Sequence, residues 1–406
     1  MSNEQVAMSN ERKQSKLDEL IQQYCPDGVS FIPIKDLLKQ KSICIITPSF
    51  KIKRNDYKES GSVPIISQEQ EFISGYCERN DNNIPQKNYV CFGDHSEHIK
   101  YVDFAFVQGA DGLKIMYTNE NIILARYLYH TALAYYRRHD NYERHFKYFG
   151  DTAIPLPPLP VQSEIVRILD NFTELTAELT AELTSRKKQY EYYRDKLLTF
   201  GGVRGGAIGD VVWRTLAEIA DISTGSSNTD DAVEGGCYPF FVRSQRPLAK
   251  DEYEYDEEAI ITAGDGVGVG KVFHYINGKY ALHQRAYRIH PATDGLLGKY
   301  LYHYFVATFP KYIGHQMYQG SVPSIRRPML NKFQVAIPSL DVQKRIVNVL
   351  DNFDAICSDL KIGLPAEIEA RQKQYEFYRD ALLTYAATGK TILTDRQTDR
   401  QTDRRA

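Results

Sequence analysis

The sequence lacks most of the features that mark metal sites, secreted proteins and membrane proteins. Its six cysteines are scattered without a CxxC pair, which argues against zinc or a disulfide framework and favours reduced thiols. No stretch approaches the roughly 18 apolar residues of a membrane span, and no signal peptide opens the chain. We therefore expect a soluble, cytoplasmic protein without a membrane partner.

Motifs that carry catalysis are also missing. We find no Walker motif, HExxH, GxSxG, nuclease-type carboxylate–lysine cluster or Asn-Pro-Pro-aromatic run. The glycine-rich run Gly264-Asp-Gly-Val-Gly-Val-Gly-Lys271 departs from a phosphate loop, because Asp265 and Val272 stand where Gly and Ser or Thr are required. We interpret this run as a tight turn between strands. The sequence predicts a protein that is not an enzyme and binds no metal.

One long amphipathic helix organises the chain. Over residues 161–200, apolar side chains recur at steps of three, four or seven residues, and neither Pro nor Gly interrupts the run after Pro160. At about 1.5 Å per residue this helix would be a rod of roughly 60 Å. Because such a rod has too little core of its own, its apolar stripe predicts a partner helix.

The partner is a second copy of the same segment. Ile165–Phe172 (IVRILDNF) matches Ile346–Phe353 (IVNVLDNF), and Gln189–Phe200 (QYEYYRDKLLTF) matches Gln374–Tyr385 (QYEFYRDALLTY). The residues between the two matches differ in number by four, which is about one helical turn. The sequence therefore predicts two long helices that pair with each other.

The repeat extends beyond the helices. Proline-marked segments precede both copies, and Tyr127-Leu-Tyr-His130 recurs as Tyr300-Leu-Tyr-His303. The chain is thus predicted to be a tandem duplication of a globular module followed by a long helix. We divide it into an N-terminal helical arm (1–24), a first module (25–155), a central spacer helix with its linker (156–208), a second module (209–338), a distal spacer helix (339–389) and a disordered tail (390–406).

Turn signals predict the finer structure. In the second module, Lys271–His283 reads as a hairpin with Asn277-Gly278 at its turn. In the second long helix, Gly363 and Pro365 predict a break, with Pro365 in the first turn of the restarted helix. The other predicted elements are strands at 42–46 and 89–92, and helices near 121–136 and 299–309.

Positive charge is local, because the net charge is only −2. Residues 295–340 contain no Asp or Glu, yet they include Lys299, Lys311, Arg326 and Arg327 among many tyrosines. Such clusters suit phosphate contacts and base-edge readout, and they also suit an ordinary solvated face, so both interpretations stay open. On charge and polarity alone, the candidate nucleic-acid-binding residues are Lys51, Lys53, Arg54, Lys58, Gln68, Arg137, Arg138, Arg243, Gln245, Lys271, Arg285, Ser321, Arg326 and Arg327.

The tyrosine-rich ends of the two helices also allow two interpretations. Tyr190 and Tyr193 lie on the apolar stripe, which favours packing between the helices, whereas Glu191 and Asp195 lie off it and suit a surface for a partner protein. The candidate residues for helix pairing and partner contacts are Phe172, Leu179, Leu183, Tyr190, Arg194, Phe353, Leu360, Tyr375 and Arg379.

Taken together, these motifs resemble the specificity subunit of type I restriction-modification systems. The segments before the helices resemble IPxPxxxxQxxIVxxLD, the helix ends resemble RQKQYEYYRDxLL, and the tandem TAEL unit at 176–183 resembles the type IC group. The resemblance implies an α+β fold. In it, two globular target recognition domains of mixed helix and sheet are separated by two long antiparallel helices, which form a coiled-coil spacer with a pseudo-twofold internal repeat.

The resemblance also implies a function. Each recognition domain would read one half of a bipartite, asymmetric site in double-stranded DNA, and the helices would set the spacer and dock two methyltransferase subunits. Those partners would use S-adenosylmethionine to methylate adenine, and two restriction subunits would use ATP and Mg²⁺ to translocate and cleave DNA. No cofactor is implied for this chain itself. The alternative class is a coiled-coil scaffold that binds only proteins.

Overall fold

The chain folds into two units, and two of its helices contribute residues to both. The first unit comprises Met1–Glu178 and Ile368–Ala406, and the second comprises Leu179–Glu367. The structure is a computed structural model that describes residues 15–78, 83–109, 112–139, 141–200, 211–314, 323–358 and 362–390. The predicted linker around 201–209 and the tail from 391 onwards lie outside the described residues, as does the arm before residue 15.

The first unit contains the following elements. Its helices are α1 (Lys16–Tyr24), α2 (Ile34–Lys39), α3 (Ala125–Tyr135), α4 (Phe146–Asp151), the first half of α5 (Leu159–Leu198) and the greater part of α10 (Leu364–Thr388). Its strands are β1 (Phe31–Pro33), β2 (Ile43–Ile46), β3 (Val63–Ile66), β4 (Gly75–Cys77), β5 (Tyr89–Gly93), β6 (Ile99–Val102), β7 (Val107–Gln108), β8 (Leu113–Thr118) and β9 (Ala153–Pro155). The strands predicted at 42–46 and 89–92 and the helix predicted near 121–136 are confirmed within a few residues.

The main sheet of this unit is buried on both faces at its inner strand β5. The sheet has the order β2-β8-β5-β6 with antiparallel neighbours, and a smaller sheet has the order β4-β3-β7. Along β5, Val90 and Phe92 belong to the core on the α3 side, whereas Tyr89 and Cys91 belong to a second core with Phe106. Because side chains alternate across a strand, this double burial explains why the β5 sequence is apolar throughout.

The second unit contains a longer sheet. Its strands are β10 (Val212–Thr215), β11 (Ala220–Thr224), β12 (Tyr238–Phe241), β13 (Leu248–Lys250), β14 (Tyr255–Ala263), β15 (Phe273–Leu282), β16 (Ala286–Pro291) and β17 (Gln334–Ile337). Its helices are the second half of α5, α6 (Leu216–Ile219), α7 (Gly298–Gly314), α8 (Arg327–Asn331), α9 (Leu340–Ser358) and the start of α10. Helix α7 contains the helix predicted near 299–309.

The two units repeat the same strand arrangement. The second sheet has the order β11-β16-β14-β15-β12-β13, and its first four strands occupy the positions of β2-β8-β5-β6 in the first unit. A parallel pair also recurs, as β3 with β7 and as β12 with β15. In each unit a short antiparallel ribbon, β1 with β9 or β10 with β17, joins the start of the module to the segment before its long helix. The internal repeat predicted from the sequence is therefore a repeat of fold.

The hairpin predicted at Asn277-Gly278 is wrong. These residues lie within the continuous strand β15, opposite Glu258 and Glu257 of β14. The chain reverses instead in the glycine-rich loop at 264–272, so the interpretation of that run as a turn between strands is confirmed. Asn-Gly is a strong local turn signal, but here pairing with the long strand β14 extends the ladder through it.

The long helices differ in continuity. Helix α5 runs without interruption from Leu159 to Leu198. Its counterpart is divided, because α9 ends at Ser358 and α10 begins at Leu364, with Pro365 in the first turn. The predicted break is thus confirmed, and the distal spacer helix is two helices rather than one. Among the described helices, none is long and apolar enough to span a membrane.

Within each unit the helices pair in antiparallel fashion. In the first unit, Phe172 of α5 stacks on Tyr378 of α10 with ring centroids 5.1 Å apart. In the second unit, Phe353 of α9 contacts Tyr190 and Tyr193 of α5 at 6.4 and 6.0 Å. These aromatic contacts form the seam that the apolar stripe predicted.

Candidate nucleic-acid interface

Each module is fastened to its long helix by a buried glutamine. Gln162 accepts a hydrogen bond from the Leu124 amide at 3.0 Å and donates to the carbonyls of Ile122 and Pro157. Gln343 repeats this in the second unit, where it accepts from Leu297 at 2.9 Å and donates to the carbonyls of Gly295 and Pro338. Both side chains are fully buried. The glutamine thus satisfies three backbone groups where the module meets the helix.

A buried histidine makes a second anchor in each unit. His130 Nε2 lies 3.1 Å from Asp170 Oδ1, and His303 Nε2 lies 2.7 Å from Asp351 Oδ1. The repeated Tyr-Leu-Tyr-His and Leu-Asp-Asn-Phe motifs therefore meet each other in space. Burial lowers the pKa of both histidines, although the hydrogen bond to the carboxylate opposes that shift. In the first unit, the other His130 nitrogen lies 2.9 Å from Tyr375 Oη.

Part of the local positive charge is used in these anchors. Arg126 Nε lies 2.7 Å from Asp170, and Lys299 Nζ lies 3.2 Å from Asp351. Lys311 Nζ lies 2.8 Å from Asp195 of α5. Residues 295–340 contain no Asp or Glu, but Asp351 and Asp195 of the long helices lie beside their lysines. For Lys299 and Lys311 the structure therefore supports an anchoring role within the fold.

The first unit has a cavity of about 300 Å³ at one end of its main sheet. It opens where β5 ends in Gly93-Asp94. Its charged and polar lining includes Lys51, Asp94, His95, Gln108, Lys114 and Arg144. Lys114 Nζ lies 3.7 Å from Asp94, and Gln108 Oε1, although buried, has no hydrogen-bond partner among the described residues. The cavity is therefore lined by cationic side chains, and a buried amide oxygen belongs to one of its lining residues.

The second unit has a cavity of about 260 Å³ at the equivalent position. Strand β14, which corresponds to β5, is followed by Gly264-Asp265. Asp265 lines the cavity together with Arg285 and Arg326, and its carboxylate binds Arg243 Nη1 at 2.6 Å and Arg285 Nη1 at 3.3 Å. The structure thus brings together three residues that the sequence analysis selected only by charge.

The remaining candidates for nucleic-acid binding are dispersed. Arg54 pairs with Glu69 at 3.2 Å and Lys58 with Glu78 at 3.5 Å, both at the surface. Gln68 accepts a hydrogen bond from the His95 amide at 3.1 Å, so it also holds the β5–β6 turn. Arg138 is exposed and donates a hydrogen bond to the Ser96 carbonyl at 3.5 Å. The other exposed candidates are Lys53, Arg137, Gln245, Lys271 and Arg327. Ser321 lies outside the described residues.

Sequence reasoning missed several lining residues, among them Asp94, Gln108 and Lys114. One signal was available, since Gly-Asp occurs in both halves directly after a strongly apolar strand, as Gly93-Asp94 and Gly264-Asp265. Gln108 could not have been found in this way, because its buried, unpaired oxygen is a property of the folded chain.

The residues predicted for helix pairing occupy both seam and surface. Tyr375 is buried, and Leu179 and Leu183 are half-buried. Arg194 pairs with Asp195 and lies over the Tyr190 ring, while Arg379 pairs with Asp380 and lies over the Tyr375 ring. Leu360 lies outside the described residues.

A larger groove of about 700 Å³ lies in the first unit between the first half of α5 and the module. It contains none of the candidate nucleic-acid residues, and three carboxylates, Asp103, Glu120 and Glu174, line it beside the Arg126–Asp170 pair. Its charge does not suit DNA. Within the described ranges, no group of His, Cys, Asp and Glu is arranged to hold a metal ion.

Comparison with known proteins identifies the class. Residues 32–186 and 209–370 both match the type I restriction modification DNA specificity domain. A chain with two such domains on repeated helices belongs to a class of two-module DNA-specificity proteins. This chain belongs to the family of specificity subunits of type I restriction-modification systems, the non-catalytic components of those systems.

Individual relatives support this assignment. The chain is 31% identical over 396 residues to the EcoR124I/EcoR124II specificity subunit of Escherichia coli, covering 88% of this chain and 95% of that one. It is 35% identical over 258 residues to a putative type I specificity subunit of Haemophilus influenzae, covering 57% and 64%. The family resemblance inferred from the sequence is therefore confirmed.

Solved structures support the fold. The S subunit of a type I restriction-modification system from M. genitalium aligns with a TM-score of 0.56 at 14% identity, covering 87% of this chain and 96% of that chain. A chain from a structure concerned with complex assembly and conformational transition of the type I system aligns with a TM-score of 0.52 at 17% identity, covering 88% and 97%. The α+β fold with modules on long helices is that of these subunits.

Proposed function

We propose that this chain is the sequence reader of a multisubunit DNA methyltransferase and restriction endonuclease. In this proposal the modules at 25–155 and 209–338 are target recognition domains, and each reads one half of a bipartite, asymmetric site in double-stranded DNA. The paired helices set the spacer between the half-sites.

The observation that carries the proposal is the pair of cavities at Asp94 and Asp265. The same strand end in each unit bears a cavity lined by cationic side chains. The other lining residues differ, with His95 and Gln108 in one cavity and Gln284, Tyr287 and Ser324 in the other. A common scaffold with unlike linings is what two readers of different half-sites require. Base edges are distinguished by donor and acceptor patterns, whereas phosphates are the same in every sequence.

The anchors support a spacer role for the helices. Gln162 with His130, and Gln343 with His303, tie each module to a helix through buried hydrogen bonds. A module held in this way cannot rotate freely about its helix, so helix length is transmitted to the position of the reader. The spacing of half-sites then follows from protein geometry, as it does for dimeric DNA-binding proteins.

Catalysis belongs to partners in this proposal. Two methyltransferase subunits dock on the helices and use S-adenosylmethionine to methylate adenine within the site. Two restriction subunits use ATP and Mg²⁺ to translocate and cleave unmodified DNA. This chain contributes recognition and assembly, and it needs no cofactor.

The test is to co-express the chain with the methyltransferase subunit encoded beside it and to select bound duplexes from a randomised DNA pool. We expect two short constant blocks separated by an unspecified gap of fixed length. A complex that forms without sequence preference would instead favour a scaffold that binds only proteins. Failure to form any complex would remove the methyltransferase partner from the proposal.

A further inference from the structure

The Asp265 cavity places two arginines on one carboxylate. Asp265 accepts hydrogen bonds from Arg243 Nη1 at 2.6 Å and from Arg285 Nη1 at 3.3 Å. The side chains of Arg243 and Arg285 remain 38% and 60% exposed, whereas that of Asp265 is 25% exposed. Asp265 is therefore less exposed than the two arginines that it binds, and both arginine side chains keep surface accessible to solvent.

The loop that carries Asp265 is held by backbone contacts. The amides of Gly264 and Gly266 donate to the carbonyls of Arg285 and Pro323, each at 2.9 Å, and Ile325 donates to Gly264 at 2.9 Å. Gly266 has a φ of +84°, which favours glycine. A Cβ at Gly268 would lie 2.5 Å from the Arg243 carbonyl oxygen, so only glycine fits there. The arginines thus project from a backbone that is fixed on several sides.

This arrangement suits a base edge better than a phosphate. A guanidinium group has five N–H donors, and the carboxylate engages only part of them. In the major groove of DNA, guanine presents two adjacent acceptors, O6 and N7, which match the arginine fork. Asp265 offsets one of the two arginine charges, which weakens the attraction of the group for a phosphate, whereas the match to O6 and N7 depends on the geometry of the fork.

We propose that Arg243 and Arg285, oriented by Asp265, read guanine in the half-site bound by the second module. This inference rests on the proposed function, because it assigns a base to one of its two readers. Arg243 and Arg285 determine specificity by direct contact, and Asp265 is a positioning residue. The neighbouring cavity, with Gln284, Tyr287 and Ser324 in its lining, accommodates the rest of the base-pair edge.

The test compares three variants in the intact complex with the methyltransferase subunit, namely Arg285→Lys, Arg243→Lys and Asp265→Asn. Lysine keeps the positive charge but loses the fork. Each variant complex is used to select duplexes from the randomised pool. Its affinity for the preferred duplex and for duplexes with single base-pair changes is then measured over a range of salt concentrations. We expect the unmodified complex to require a G·C pair in one block. We expect each variant to lose about tenfold or more of the discrimination at that pair.

The second block and the salt dependence should stay unchanged in these variants. Arg214→Lys is the matched control, because Arg214 is an exposed arginine on β10, away from the cavity. Co-purification with the methyltransferase and thermal unfolding confirm that each variant is folded. Asp265→Asn is the most informative variant, since it removes no group that touches DNA.

Three results would overturn this inference while leaving the proposed function intact. The first is that neither selected block contains a G·C pair at which the variants change the preference. The second is an unchanged preference in all three variants. The third is a uniform loss of affinity across sequences with a shallower salt dependence, which is the behaviour of phosphate contacts. If the unmodified complex selects no particular sequence, both the proposed function and this inference are wrong.

Discussion

At the residue scale, the most informative side chains are the two buried glutamines. Gln162 and Gln343 stand at the same place in the repeated segment VQ, and each bridges three backbone groups that secondary structure leaves unpaired. A buried backbone group without a partner is costly, so glutamine at this position is required for reasons of hydrogen bonding rather than packing.

This predicts a large effect for Gln343→Leu. The substitution keeps most of the volume but leaves the Leu297 amide and the carbonyls of Gly295 and Pro338 without their partner. We expect the second unit to lose about 2–4 kcal/mol of stability, measured as the shift of its urea unfolding transition. Gln334→Leu is the control, because Gln334 is an exposed glutamine on β17 of the same unit. The control should change stability by less than about 0.5 kcal/mol, and an equally small effect of Gln343→Leu would contradict the anchoring role.

At the element scale, the continuity of α5 matters most. The two TAEL units lie within its uninterrupted course, with Leu179 and Leu183 half-buried on the stripe. A four-residue insertion of this kind keeps the helix intact, because its residues are helix formers and the stripe continues nearly in phase. Helix α5 can therefore change in length and keep a continuous apolar stripe.

We expect a third TAEL unit after Leu183 to lengthen the gap between the two DNA blocks. Four residues add about 6 Å and a rotation of about 40°. Since B-DNA rises about 3.4 Å per base pair, the gap should grow by one or two base pairs, as measured by selection from a randomised pool. Replacing the second TAEL by four other helix-forming residues is the length-neutral control and should leave the gap unchanged. A gap that does not respond to the insertion would mean that α5 does not set the spacing.

At the scale of the whole molecule, the duplication makes the modules separable. Each unit has its own sheet, its own core and its own anchors. The contacts that hold a module to its helix involve the repeated motifs, so a foreign module that carries those motifs should dock in the same way.

Exchange of residues 28–154 for the corresponding module of a relative should therefore alter one block of the recognised site and preserve the other. The measurement is again selection of duplexes by the complex with the methyltransferase subunit. The control for docking is the same chimera with Gln162→Leu, a position outside the exchanged residues. This substitution removes the anchor and leaves the reader unchanged. Loss of both blocks in a folded chimera would show that the modules do not read independently.

Much of the architecture was predictable because it depends on short-range patterns. The period of apolar residues in α5 and the break at Gly363 and Pro365 are properties of neighbouring residues along the chain. The duplication was visible for the same reason, since repeated motifs can be compared by position alone. The turn at Asn277-Gly278 failed because a local preference was outweighed by the ladder between β14 and β15.

The candidate site was predictable only in part. Charge selected Arg243, Arg285 and Arg326, but nothing in the sequence indicated that they lie around Asp265. Charge equally selected the stretch that contains Lys299 and Lys311, whose partners Asp351 and Asp195 lie on the helices. A list of charges along a chain does not reveal which of them are paired in space.

By itself, the sequence determined the family, the two-module repeat and the long helices, because motif and period are one-dimensional information. Only the tertiary structure decided which cations are anchors and which line a cavity, that Asp94 and Asp265 hold equivalent positions, and that the oxygen of the Gln108 side chain is buried. The physical reason is that ion pairing, burial and strand register depend on residues far apart in the chain, and folding alone brings these together.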